Sequence, residues 1–122
     1  MLRLIAGTVV GVIVWGLVAI GLDYGLQHFF PGYRVVEPAM MFTVPMMIAR
    51  LSESAVSTLF AGYVAAKIDR GGSAALIAGI FLLVIFVPVH LHIWAHFPLW
   101  YHLTFFVSLP LLAWIGGRLA RS

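Results

Sequence analysis

The sequence contains no cysteine and very little charge. Its 122 residues include seven lysines and arginines and four aspartates and glutamates, so that only 9% of the chain is charged. The absence of cysteine excludes disulfide bonds, thiolate metal sites and cysteine catalysis. A soluble domain has about 25% charged residues. The low charge therefore argues against a water-soluble globular protein.

What the chain has instead is apolar surface. Hydrophobic residues make up 63% of it, and the mean hydropathy is +1.09. A soluble fold of this length cannot hide so much apolar surface. We therefore predict an all-α, single-domain integral membrane protein whose main partner is the lipid bilayer. The net charge of +3 is too small and too scattered for nucleic-acid binding.

Long apolar runs predict four transmembrane helices. They cover about residues 4–28, 44–67, 73–93 and 99–119, and about 20 residues of helix suffice to cross the hydrocarbon core. The short connection at residues 95–98 requires the last two helices to be antiparallel. The predicted fold is a four-helix bundle made of two antiparallel transmembrane hairpins.

The start of the second helix is less clear because two prolines compete for it. Glu37 followed by Pro38 fits a helix with proline at its first position, and Pro45 would then kink a long helix from inside. Alternatively, residues 38–42 form a short interfacial segment and the span begins at Pro45. We favour the long, proline-kinked helix and keep the later start as the alternative.

The basic residues predict the orientation of the bundle. With four spans, one side carries five of them and the other side carries only Arg34; the five are Arg3, Lys67, Arg70, Arg118 and Arg121. Short loops rich in lysine and arginine stay in the cytoplasm. We expect a multi-pass protein of the bacterial inner (plasma) membrane with both termini in the cytoplasm.

The segment MIARLSESAVST, residues 47–58, places two charges inside the second span. If the helix begins at Pro45, Arg50 lies roughly 7 Å and Glu53 roughly 12 Å below the membrane surface. The two residues are one turn apart, so we expect an intrahelical ion pair. Four hydroxyl groups surround this pair as expected hydrogen-bond partners: Ser52, Ser54, Ser57 and Thr58.

Ionisable residues inside a membrane are candidates for function. The functional interpretation makes Glu53 a proton- or cation-coupling carboxylate that Arg50 holds in place. The structural interpretation is an ion pair that only fixes the position of the helix.

The predicted topology brings all five histidines near the outer membrane face, together with Asp23, Tyr33 and Glu37. Imidazole binds zinc, copper and haem iron, and thioether sulfur selects Cu(I). The candidate metal ligands are His28, His90, His92, His96, His102, Met46 and Met47. The competing interpretation is an amphipathic belt at the interface with methionines as packing residues. It implies no cofactor, and we prefer it to copper, zinc or haem.

Three segments carry a family resemblance. The segments PMMIARLSES and AGYVAAKIDRG, followed by FPLWYHLTFFVSLPLLAWIGGRLAR, resemble a group of small bacterial four-helix membrane proteins of unknown function. The resemblance covers roughly the last two thirds of the chain. It implies the four-helix fold and the membrane location, and it assigns no functional residue.

Three functions remain open. The favoured one is an accessory, structural or interaction protein of the membrane, with a membrane-protein partner or a second copy of the chain. The second is a small oligomeric transporter or channel that uses Arg50 and Glu53. The third is a metal- or haem-binding subunit that uses the outer histidines. We expect no enzyme, because no serine or aspartate stands beside a histidine in a recognisable catalytic arrangement.

Overall fold

The computed structural model describes residues 1–70 and 73–121, and every regular element in these ranges is helical. Gly71 and Gly72 of the predicted basic loop lie outside the described residues, as does Ser122. The elements are α1 (Leu2–Phe29), α2 (Tyr33–Val36), a 3-10 turn (Glu37–Ala39), α3 (Val44–Ile68), α4 (Ala74–His92), a second 3-10 turn (Trp94–His96) and α5 (Leu99–Arg121).

The long helices α1, α3, α4 and α5 form a bundle, as predicted. Three of them, α1, α4 and α5, are long and apolar enough to cross a membrane. The helix α3 adds a fourth candidate span only if the bent segment before it is counted as part of the same span. The all-helical bundle is therefore confirmed, and its long apolar helices suggest a membrane protein.

The predicted long, kinked second helix is wrong. The helix α3 begins at Val44, and the preceding segment Tyr33–Ala39 lies at 84° to it. Thr43 caps α3, since its hydroxyl accepts a hydrogen bond from the backbone N–H of Met46 at 3.4 Å. Met40 interrupts the helical conformation between the two segments because its backbone is left-handed, with φ of 57°. Each proline thus begins its own helix, as proline in a first turn permits.

Small residues bring the helices close together at one end of the bundle. A Cβ atom added to Gly7 of α1 would lie 2.8 Å from the carbonyl oxygen of Ala65, and one added to Gly11 would lie 3.0 Å from that of Ala61. A Cβ atom on Gly62 of α3 would collide with the backbone of Ala113 in α5. Glycine therefore permits backbone-to-backbone packing here, as it does between membrane helices.

The close packing stops halfway along α1. A Cβ atom added to Gly16, Gly21 or Gly25 would meet no other atom within 4 Å. We call the tightly packed half the closed end. The start of α1, the end of α3 and the start of α4 lie there, since Gly7 faces both Asp69 and Ala74. The opposite half, where α1 ends and α3 begins, is the cavity end.

We predict that Gly62→Ala lowers the stability of the protein in detergent or lipid. The added methyl group must displace the α5 backbone, and overpacking of this kind costs about 1–3 kcal/mol. Thermal unfolding followed by circular dichroism measures the effect. Gly21→Ala adds the same methyl group where there is open space, so it serves as the control. Equal loss of stability in both variants would contradict the close α3–α5 contact.

Candidate functional site

Arg50 lies at the centre of a polar cluster at the cavity end. Its Nη1 donates a hydrogen bond to the hydroxyl of Tyr33 at 2.8 Å, and its Nε donates to the hydroxyl of Tyr101 at 3.2 Å. The same Nη1 lies 4.0 Å from Asp23 Oδ1 and 3.8 Å from Glu37 Oε2. The arginine on α3 is thus connected to α1, α2, the first 3-10 turn and α5.

The acidic partners of Arg50 are connected to each other as well. Gln27 lies one turn after Asp23 on α1, and its side-chain amide donates to Asp23 Oδ2 at 3.2 Å and to Glu37 Oε1 at 2.5 Å. Tyr33 donates its hydroxyl proton to Asp23 Oδ1 at 3.0 Å. Asp23, Tyr33 and Glu37 therefore each have a further hydrogen bond that fixes their orientation, and the cluster behaves as one network.

The chain reversal after α1 brings Tyr33 and Glu37 next to Arg50. Gly32 has a φ of +80°, which glycine adopts without strain, and α2 starts directly after it. Tyr33 is fully buried, and it packs in a cluster with Phe42, Met46, Met47, Phe97 and Tyr101. The segment between α1 and α3 is therefore anchored by an aromatic core as well as by hydrogen bonds.

Aromatic rings also cover the guanidinium group of Arg50. Its Cζ lies 4.6 Å from the centre of the Phe42 ring and 5.9 Å from that of Phe97. A planar guanidinium combines hydrogen bonds in its plane with stacking above it, which lysine does not reproduce. The site is thus shaped for arginine.

Glu37 lies in the connection between the long helices, and it gains a proton more readily than a free glutamate. Its burial comes first among the causes, and the neighbouring carboxyl group of Asp23 adds to it; together they raise the pKa of Glu37 above its ordinary value. A proton held there would leave one negative charge, on Asp23, opposite Arg50.

A cavity of about 590 Å³ opens beside this cluster. Its walls come from α1, α3, α4 and α5, and the connecting segment contributes Glu37 and Met40. Three of the four acidic residues of the chain line it, but only one of its seven basic residues does; these are Asp23, Glu37, Glu53 and Arg50.

The predicted intrahelical pair of Arg50 and Glu53 is not formed. Arg50 points to Asp23 and Glu37 instead, because the folded chain offers it two tyrosines and two carboxylates from other elements. Within the described part of the chain, the Glu53 carboxylate takes part in no hydrogen bond or ion pair, and it lines the cavity.

The predicted hydroxyl partners do not surround the arginine either. Ser52, Ser57 and Thr58 each donate to a backbone carbonyl one turn earlier on α3, a common bond for hydroxyls inside helices. Thr58 also accepts a hydrogen bond from Trp15 Nε1 at 2.9 Å. Ser54 differs from the others: it lines the cavity, and its buried hydroxyl has no partner in the described residues.

The candidate metal ligands are mostly apart from one another. His90 and His102 are both buried, and their Nδ1 atoms lie 2.7 Å apart, at hydrogen-bond distance. His92 and His96 are exposed, and the His28 ring packs at a tilt against Tyr24. Met46 and Met47 pack in the aromatic cluster around Tyr33. Over residues 1–70 and 73–121, no group of three histidine or acidic side chains is arranged to hold a metal ion.

Five residues of the Arg50 cluster were not identified as part of a site from the sequence. Asp23, Tyr33 and Glu37 were expected only near the same face, and no role was predicted for Gln27 or Tyr101. All five shared one signal: the chain has few polar groups, and these lie at the same predicted end as Arg50.

Comparison with known proteins yields no match: no family model, no curated protein and no solved structure is similar to this chain. The resemblance to small bacterial four-helix proteins therefore stays a prediction.

We predict that Arg50→Gln destabilises the protein by roughly 2 kcal/mol. This is less than the full cost of breaking a buried ion pair, because the arginine side chain keeps 21% of its exposure. The loss has two sources, an unbalanced pair of carboxylates and two tyrosine hydroxyls without their donor. Thermal unfolding in the same detergent measures the effect.

The control for this variant is Arg34→Gln, since Arg34 is an exposed arginine in the neighbouring helix α2. It removes the same charge and should leave the unfolding midpoint unchanged. Equal midpoints for the two variants would contradict the central position of Arg50.

Proposed function

We propose that this chain is a small integral membrane protein that binds hydrophobic organic cations in the cavity beside Arg50, as the binding step of a carrier. The observation that supports this most strongly is the composition of the cavity. Three acidic side chains and one arginine line it, and the arginine is already engaged by Asp23 and Glu37. Glu53 is left to attract a positive charge from outside the protein.

The electrostatic balance supports a cation over an anion. With all four groups ionised, the cavity carries two more negative charges than positive ones. With a proton on Glu37, one uncompensated negative charge remains. A charge in a lipid-surrounded cavity is screened far less than one in water. An anionic ligand would meet this charge without a free cation, whereas an organic cation would neutralise it.

The walls of the cavity support an apolar ligand body. Trp15 of α1 and Phe86 of α4 lie with their ring centres 4.9 Å apart, and Phe105 of α5 packs on Phe86 at 5.2 Å. All three rings line the cavity. Its volume falls in the range of sites for small organic molecules, and aromatic faces attract cations.

This proposal places the chain in the transporter class over the accessory class and the metal-binding class. An accessory protein would need no acidic cavity with an unpaired carboxylate. A metal-binding subunit would need converging ligands, and the described histidines supply only the pair His90 and His102. The accessory function is the alternative if the cavity binds nothing.

The same proposal includes the location. We place the four long helices across a bacterial inner membrane, with the closed end in the cytoplasm. That end carries the basic residues on or next to the helix termini: Arg3, Lys67, Arg70, Arg118 and Arg121. The excess of positive charge there agrees with the rule for cytoplasmic loops. The cavity then opens in the outer half of the membrane.

Binding of 2-phenylethylamine to the protein in lipid nanodiscs tests the cation preference. At neutral pH the amine is a cation with an apolar ring, and 2-phenylethanol is its neutral counterpart. We expect calorimetry to show binding of the amine and at least about tenfold weaker binding of the alcohol, a difference of about 1.4 kcal/mol. Glu53→Gln should remove most of that difference.

The control variant is Asp69→Asn. Asp69 is the one acidic residue that does not line the cavity, and an asparagine can still accept the hydrogen bond that Asp69 receives from the backbone N–H of Ala74. Its binding should equal that of the unmodified protein. Failure of the folded protein to bind the amine above the level of empty nanodiscs would refute the proposal.

A further inference from the structure

We infer that the cavity selects cations that carry N–H groups, a primary ammonium above all, and discriminates against quaternary ammonium compounds. This inference rests on the proposed function, since it names the chemical class of the cation. Three residues that line one cavity support this inference, because each has a polar group without a partner in the described chain. These groups are the Glu53 carboxylate, the Ser54 hydroxyl and the Nε2 atom of His90.

The hydrogen bonds of the histidine pair determine which nitrogen of His90 carries a proton. His102 Nε2 lies 3.1 Å from the backbone carbonyl oxygen of Trp94. A carbonyl only accepts, so this nitrogen donates. Neutral His102 then has an unprotonated Nδ1, which accepts a hydrogen bond from His90 Nδ1 at 2.7 Å. Each neutral imidazole carries one N–H.

His90 Nε2 is therefore left with a lone pair and no proton. Both rings are buried, at 3% and 0% exposure, and no carboxylate bonds either of them within the described residues. A charged imidazole in this place would be costly, so both rings stay neutral. His90 lines the cavity, where its Nε2 acts as a hydrogen-bond acceptor. His102 does not line the cavity; it is a positioning residue that fixes the tautomer of His90.

Ser54 gives an independent reason to expect a polar ligand. The residue lines the cavity and is 5% exposed, and its hydroxyl oxygen is buried without a partner in the described residues. A neighbour on the same helix, Ser57, satisfies its hydroxyl with the carbonyl oxygen of Glu53 at 2.8 Å. A buried hydroxyl without a hydrogen bond destabilises the protein, and a ligand that bonds to Ser54 would remove that cost.

The three groups are all able to accept hydrogen bonds. A primary ammonium has three N–H donors and can bond to a carboxylate, a hydroxyl and an imidazole nitrogen. A quaternary ammonium of the same charge has none, and it would fill the cavity with methyl groups while leaving the three acceptors without partners. Aromatic walls alone would accept both cations, so the acceptors decide the selectivity. A site built to hydrogen-bond its ligand rejects an analogue that lacks the donor.

The test compares 2-phenylethylamine with its N,N,N-trimethyl derivative in lipid nanodiscs. We expect the amine to bind at least about tenfold more tightly, since hydrogen bonds to charged groups are the strong ones. Equal affinity, or tighter binding of the trimethyl compound, would overturn the selectivity and leave the proposed cation binding intact. Binding of neither compound would overturn both.

Two variants locate the selectivity in the named acceptors. Ser54→Ala removes an unsatisfied hydroxyl, so the fold should be unchanged or more stable. The affinity for the amine should nevertheless fall about ten- to a hundredfold, as expected for loss of one hydrogen bond to a charged group. Ser57→Ala is its control, because Ser57 is buried on the same helix and does not line the cavity.

His90→Phe should reduce the preference for the amine, whereas His92→Phe, at an exposed position outside the cavity, should not.

Nitrogen NMR of the histidine rings supplies a readout that does not depend on stability. In the free protein we expect His90 to carry its proton on Nδ1 and His102 on Nε2, and we expect the His90 Nε2 signal to move when the amine is added. The opposite tautomers, or an unchanged Nε2 signal at saturating amine, would overturn the role of His90. An amine preference that survives in both Ser54→Ala and His90→Phe would overturn the three-acceptor site.

Discussion

The hydrogen bonds of one arginine determine the structure of the cavity end. Arg50 reaches the hydroxyls of Tyr33 and Tyr101 and lies beside Asp23 and Glu37, so that a single side chain connects α3 with α1, α2, the first 3-10 turn and α5. A lone charge among apolar helices is costly. The cost is offset here because Nε and Nη1 of Arg50 have partners and aromatic rings cover the guanidinium face. Because Asp23 and Glu37 engage Arg50, the arginine is not available to pair with Glu53.

Small residues determine the other end of the bundle. Glycines and alanines let α1 approach α3, and let α3 approach α5, at backbone distance. The cavity lies toward the opposite end, and its α1 wall consists of other residues: Trp15, Ala19, Ile20, Asp23, Tyr24 and Gln27. The Arg50 cluster supplies part of its polar lining, so the hydrogen bonds of the arginine decide which charges at the cavity stay unpaired.

Most of the fold could be predicted from the sequence, whereas the site could not. Long apolar runs separated by charges and turns are a local signal, and they predicted helices close to those observed. The observed start of α3 is the one that the sequence analysis kept as the alternative, and Thr43 before Pro45 is a combination that favours it. The partners of Arg50 were missed. Spacing along a helix suggested Glu53, but Asp23, Glu37 and Tyr101 approach only when three separate segments fold together. The tautomer of His90 likewise depends on a contact between α4 and α5.

The most direct measurement is a pair of double-mutant cycles on the stability of the protein in one detergent. One cycle combines Arg50→Gln with Tyr33→Phe, and the other combines Arg50→Gln with Glu53→Gln. Substitutions of two residues that share a hydrogen bond change the free energy of unfolding by an amount that departs from the sum of the single effects by about 0.5–3 kcal/mol. For independent residues the single effects add within about 0.5 kcal/mol. We expect coupling in the first cycle and near additivity in the second. Strong coupling between Arg50 and Glu53, with none between Arg50 and Tyr33, would contradict the cluster and the unpaired carboxylate on which the proposed cation site depends.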